Sequence, residues 1–249
     1  MKIAIIHDWQ PSPLQEFTWK DGLSAAIKIL SSRYEVKFFT CGQTEWAMPH
    51  DYFPINFYPT GEPLKKAVKK FNPDVILHWA DFTRPNAESL AQLGKPMAIC
   101  FAGGNIDGPT RMYFDHVFVE SQVYKEALES RGVTVSTAFG TNDELFEPMP
   151  NQRKTFDVCN FSTFADWKRH KLLVQSTKDI DDRITVVCSG FKYEVKERYC
   201  WEYPQSKGVL ILPHLSAEAV AHLMAASKVC VLTSMASGGS QRTVLEAMA

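Results

Sequence analysis

This 249-residue chain lacks several features that would have settled its class at once. It has no apolar run near the roughly 18 residues a membrane span needs. Its start, MKIAIIHDWQP, turns polar too early for a signal peptide, so the cytoplasm is the expected compartment. It has almost no net charge, −1 at pH 7, and therefore no general attraction to nucleic acid; any phosphate binding must be local. It has no C-x-x-C pair, and its 6 cysteines (Cys41, Cys100, Cys159, Cys188, Cys200, Cys230) are widely spaced. Reduced structural thiols are expected of them, not a metal site or a disulfide framework.

What is present is an alternation of short apolar runs and amphipathic stretches. Lys2 to His7 (KIAIIH) is nearly continuous in apolar residues, the pattern of a parallel strand covered by helices on both faces. A helix is expected over Gly22 to Leu30, strands over Glu35 to Thr40 and Val75 to His78, and a basic helix over Leu64 to Phe71. Between these lies a loop rich in proline and aromatics. The lysines at 65, 66, 69 and 70 read as a solvated helix face. Strands follow over Met97 to Phe101, His116 to Val119 and Val133 to Ser136, with Ser121 capping a helix that Gly132 stops. The alternation restarts after Pro150: strands over Phe156 to Asn160, Ile184 to Cys188 and Val209 to Leu212, a helix around Lys171 to Ser176, and a helix from Ser216 through Lys228. A strand over Val229 to Thr233 then leads through Ser237-Gly238-Gly239-Ser240 into a helix start, Val244 to Ala249. The expectation is an α/β protein of two tandem Rossmann-like, doubly wound parallel-sheet domains, 1–150 and 151–249, with a cleft between them. The last helix is too short to stand alone, so the second domain is expected to be incomplete. A flavodoxin-like or receiver domain would close after one round of alternation, and this chain does not.

The final stretch, strand to glycine loop to helix, is a phosphate-binding arrangement: backbone N–H groups at a helix start favour an anion, and glycine lets it approach. Three segments resemble the family 4 glycosyltransferases, of the architecture called GT-B. FDHVFVESQVYKEALESRG followed by FGTNDELFEP resembles the end of the family's first domain. NFSTFADWKRHKLL is similar to its G-R-x-x-x-x-K-G-x-x-x-L turn. GGSQRTVLEAMA is similar to E-G-F-G-x-x-x-L-E-A-M-A.

The resemblance implies a sugar transferred from a nucleotide-diphosphate donor to an acceptor hydroxyl, with retention of anomeric configuration and without a metal or other cofactor. The acidic pair nearest to a metal motif that this reading considers is Asp181-Asp182, just ahead of a strand. Lys168 matches the diphosphate-binding lysine, and Glu246 the carboxylate that accepts hydrogen bonds from the nucleotide ribose. Arg169, Gly238, Gly239, Ser240, Gln241, Arg242 and Thr243 would line the donor's phosphates and sugar. His7, Trp9, His78, Gly103 and Gly104 are the acceptor-side candidates. The chain also departs from the pattern: Thr163 stands where the family has arginine, Gly238 where it has the first glutamate, and DWQPSPLQEFTWKDG replaces the glycine-rich first loop. Two other readings stand beside the transferase: a catalytically silent nucleotide- or glycan-binding module, and a nucleotide-sugar epimerase. The partners implied are a nucleotide sugar and a glycan, lipid-linked or small-molecule acceptor, with peripheral membrane contact and a dimer through the truncated sheet edge also consistent with the reading.

Overall fold

The computed structural model describes residues 1–8, 22–43, 45–48, 53–79, 84–101, 113–138, 140–190, 208–234 and 242–249. Their contacts divide them into two compact units, the first reaching residue 138 and the second running from 140 to 249.

The first unit contains β1 (Lys2–His7), α1 (Gly22–Ser31), β2 (Glu35–Cys41), β3 (Trp46–Met48), β4 (Ile55–Tyr58), α2 (Glu62–Phe71), β5 (Val75–Trp79), α3 (Arg84–Ala91), β6 (Met97–Cys100), β7 (His116–Val119), α4 (Gln122–Glu129) and β8 (Val135–Thr137). The strand order is β3-β4-β2-β1-β5-β6-β7-β8, with every pairing parallel except β3 with β4. The chain winds outward from β1 through β2 and β4, then returns to β1's other side with β5. The order therefore reverses between β1 and β5, and it is outside the carboxyl ends of such strands that open α/β sheets hold ligands. Ala4, Ile6, Ile76, Met97, Ile99, Val117 and Val119 fill the core beneath the helices. Local rules set the helix ends: Pro63 sits in the first turn of α2, and Asn72 ends it in the left-handed region at φ 52°. Ser121 caps α4 by accepting from the Tyr124 N–H.

The second unit contains β9 (Phe156–Phe161), α5 (His170–Ile180), β10 (Val186–Ser189), β11 (Val209–Leu212), α6 (Ala217–Ala225), β12 (Ser227–Cys230) and α7 (Arg242–Met248). Its sheet, β11-β10-β9-β12, is parallel throughout. This repeats the order of the first unit, with the reversal now between β9 and β12. Phe164, Leu173, Val174, Val186, Cys188 and Val209 pack on one face. Cys159, Phe161 and Val187 pack on the other, with Val220, Leu223 and Met224 of α6 against them.

Some expectations need correction. The proline- and aromatic-rich stretch holds two strands, β3 and β4, and a further helix, α3, fills Arg84–Ala91. The helix that Ser216 caps ends at Ala225, so Ser227 and Lys228 belong to β12. The last helix begins two residues earlier than expected, at Arg242.

Candidate functional site

The second unit's reversal point gathers segments distant in sequence. After β9 the chain buries Phe164 and Ala165 completely, makes one 3-10 turn over Asp166–Lys168, and bends sharply at Arg169, whose φ of 52° is left-handed. The Lys168 N–H donates to the Ala165 carbonyl at 2.8 Å. This turn lies at the start of α5 and presents Lys168 half-buried and Arg169 exposed. Burial lowers the pKa of the Lys168 ammonium from its ordinary value, because the charged form loses hydration there. An anion at this place would restore what burial removes.

The turn is held from below and from the side. His170, fully buried, lies with its ring centroid 4.6 Å from that of Phe164. Its Nε2 is 3.1 Å from the Ser162 hydroxyl, which donates to Asn160 Oδ1 at 2.6 Å. With the hydroxyl proton committed to Asn160, the Ser162 oxygen accepts from an Nε2–H imidazole. Burial first, and the nearby Lys168 charge second, push His170 down to about 4, so it stays neutral under ordinary conditions. Beside it, Gly190 follows β10 against the backbone of Ser162 and Thr163, where a Cβ would overlap the Ser162 carbonyl.

From the other side of the reversal, the Thr233 hydroxyl, just beyond β12, lies 2.7 Å from the carbonyl oxygen of Lys168 and 3.1 Å from that of Arg169. The Thr243 hydroxyl, in the first turn of α7, donates to the Phe161 carbonyl at 2.7 Å. Glu246, one turn further and half-buried, adds its charge to the surroundings that hold the proton on Cys230. Lys168, Arg169, Thr243 and Glu246 are therefore all carried at the β9/β12 end of one unit. Arg242 opens α7, though its side chain lies outside the described residues, as do Gly238, Gly239, Ser240 and Gln241. Thr233, Ser162 and Gly190 escaped the sequence reading as contributors to the turn, whereas His170, which that reading grouped with Lys168 and Arg169, is buried and neutral beneath it.

An Asp-x-Asp triplet does occur, Asp179-Ile180-Asp181, where the sequence reading considered only Asp181-Asp182. It closes α5 at the end of that helix away from Lys168, ahead of β10. There Asp179 accepts from Gln175 at 2.8 Å, and Asp181 pairs with Arg183 at 2.7 Å.

At the first unit's reversal, His7 and His78 are both buried. His78 pairs in register with Ile6 and sits 5.2 Å from the Phe114 ring. Neither of its ring nitrogens has a hydrogen-bond partner among the described residues, and burial lowers it to about 4. Asp8 accepts from Asn86 Nδ2 at 2.9 Å. The Asn86 Oδ1 in turn accepts from the Gly61 N–H at 2.9 Å, which ties α3 to the start of α2. Burial, and then the Asp8 charge, push the Cys41 thiol up to about 11. Trp9, Gly103 and Gly104 lie outside the described residues.

No protein-family model matches this chain, nor does any curated protein sequence. Solved structures do. A sucrose-phosphate synthase from Thermosynechococcus elongatus superposes with a TM-score of 0.67 at 15% identity, over 94% of this chain and 75% of its own. The catalytic domain of starch synthase IV from Arabidopsis thaliana, bound to ADP and acarbose, gives 0.64 at 9% identity, over 98% and 80%. A UDP-GlcNAc 2-epimerase from Neisseria meningitidis bound to UDP-GlcNAc gives 0.56 at 13% identity, over 92% and 76%. The fold is that of the GT-B proteins, with two Rossmann-like sheets.

Proposed function

We propose that this chain belongs to a glycosyltransferase that takes a sugar from a nucleotide-diphosphate donor, and that the β9/β12 end of the second unit holds the donor's diphosphate. The observation that carries the reading is the anchoring of the Lys168-Arg169 turn by Thr233, with Thr243 fixing α7 to the end of β9 beside it. A half-buried ammonium on a fixed turn at a topological reversal suits an anion whose charge grows as the glycosidic bond breaks. The similar structures support a nucleotide-sugar substrate through their fold, several of them having been solved with UDP, ADP or UDP-GlcNAc.

In this reading Lys168 stabilises the leaving diphosphate, Arg169 and Arg242 add cationic contacts, and Thr243 orients α7. Glu246 accepts from the ribose hydroxyls, which suits a carboxylate because it offers only acceptors to two donors. Gly238 stands where the resemblance to the family 4 glycosyltransferases places a carboxylate facing the donor sugar. The transfer is proposed to be retaining and to rely on protein groups for charge stabilisation. A charge-assisted hydrogen bond contributes about 1.5 to 3 kcal/mol, so Lys168→Ala should lower nucleoside diphosphate affinity or turnover by about 10- to 150-fold. The test is calorimetry with UDP, ADP and GDP on the full protein, followed by release or transfer of sugar from the matching nucleotide sugars. Binding without turnover would favour the silent module, and no nucleotide binding would sink both. Because UDP-GlcNAc 2-epimerases share the fold, product analysis should also follow epimerisation of the donor.

A further inference from the structure

Cys159 and Cys230 are register partners on β9 and β12, the two strands that flank the reversal. Partners on adjacent strands lie about 4.8 Å apart, inside the span of about 4.4 to 6.8 Å over which a disulfide joins two Cα atoms. Their side chains leave the same face of the sheet and meet in one apolar cluster, with the two sulfurs in hydrogen-bond contact. Among the described cysteines no other pair is so placed. Cys188 is in register with Asn160 and packs on the opposite face, while Cys41 and Cys100 belong to the first unit. Cys159 is completely buried, whereas Cys230 retains some exposure. Cys230 is also the last residue of β12, which pairs only with β9 among the described strands. A strand end at a sheet edge can move by the small distance that bond formation requires.

We propose that Cys159 and Cys230 form a reversible redox site, closed to an intrachain disulfide by a small-molecule disulfide. Cys159 first gives its own proton to solvent; the remaining proton, on Cys230, then passes to Cys159 as the Cys230 sulfur attacks the reagent, forms a mixed disulfide and expels one thiolate. That thiolate takes up the proton from Cys159. The Cys159 sulfur then attacks Cys230, the bond to the reagent breaks, and the second thiolate leaves to be protonated by solvent. Two cysteine thiols give up two electrons and two protons in all, and one reagent disulfide becomes two thiols. The hydrogen bond from Cys230 lowers the Cys159 thiol from its ordinary value despite its burial, so Cys159 is the member of the reduced pair that gives up its proton to solvent first.

The experiment exposes the folded full chain to glutathione disulfide, quenches in acid, alkylates after denaturation, and maps peptides by mass spectrometry. The expected result is loss of alkylation at Cys159 and Cys230 together, a linked peptide pair containing both, and full recovery after dithiothreitol. Cys159→Ser should leave Cys230 trapped as a glutathione adduct, and Cys230→Ser should leave Cys159 reduced. The proposal is overturned if both thiols of the wild-type chain stay alkylatable, if Cys230 carries glutathione without closing, or if either cysteine links elsewhere.

Discussion

The hydroxyl of Thr233 lies 2.7 Å from the carbonyl oxygen of Lys168, across 65 residues of chain. One side chain beyond β12 thereby sets the position of a turn that follows β9. The bond joins the two strands of the second unit between which the order of the sheet reverses.

Replacing that hydroxyl with a methyl group should loosen the turn without emptying the space around it. Thr233→Val removes a hydrogen bond whose net contribution is about 1 kcal/mol, so nucleoside diphosphate affinity should fall about fivefold. Thr233→Ser should stay near wild type. Equal affinities for the valine and serine variants in calorimetry would show that the bond does not position the site.

Lys168 offers a proton count. Its pKa lies below the ordinary 10.5 because of burial, and a bound diphosphate should raise it again. Binding near pH 10 should therefore take up protons, and affinity should weaken as the pH climbs past the value of the free site. Calorimetry in two buffers of unlike ionisation heat measures the uptake. Lys168→Arg should bind with none, since guanidinium keeps its proton throughout.

Acid should unfold the protein through two buried imidazoles, one in each unit. His78 and His170 are both lowered from 6.5 to about 4. The unfolded chain therefore binds protons that the folded one refuses. Stability is whole above pH 6.5 and is lost as the pH falls toward 4, by about 3 kcal/mol for each histidine. His170→Gln should flatten that loss in urea titrations at pH 7 and pH 4.5. His78→Leu should flatten it as well and keep or raise stability at pH 7, because no hydrogen bond to a described residue is given up there. A wild-type urea midpoint unchanged between the two pH values would contradict this account.

Gly190→Ala should cost more than substitutions at the glycines whose surroundings are open. The new methyl would overlap the Ser162 carbonyl, and the obstacle is backbone. A loss of about 2 kcal/mol or more is expected. At Gly132, with φ of 75° and nothing within 4 Å, alanine should cost about 1 kcal/mol through backbone strain alone. Matched urea melts of the two variants would reveal the order.

Sequence reading located most strands because the inner strands are buried on both faces, leaving runs such as KIAIIH and ITVVC too apolar to mistake. It missed α3 because that helix buries Asn86, a polar residue engaged with Asp8 and Gly61 rather than with an apolar stripe. It carried α6 through Lys228 because no glycine or proline separates Ala225 from Ser227, and Ser227 continues the helical spacing of Leu223. Lys168, Thr243 and Glu246 were named as site candidates because they sit within motifs. The supports of the turn were not. Thr233 and Gly190 act on backbone far away in sequence, and Ser162 and His170 act through a short polar chain that only the bend at Arg169 brings together.

The separation of those contacts bears on how the second unit acquires its shape. Phe161 and Thr243 are 82 residues apart in the chain, and between them lie nearly all of the unit's other elements. Loop-closure entropy makes such a contact expensive to form early. The Lys168 turn should therefore mature in the last steps of folding, after the four strands have aligned. A ligand that binds there would act as a latch on the completed unit, slowing its unfolding without speeding its folding.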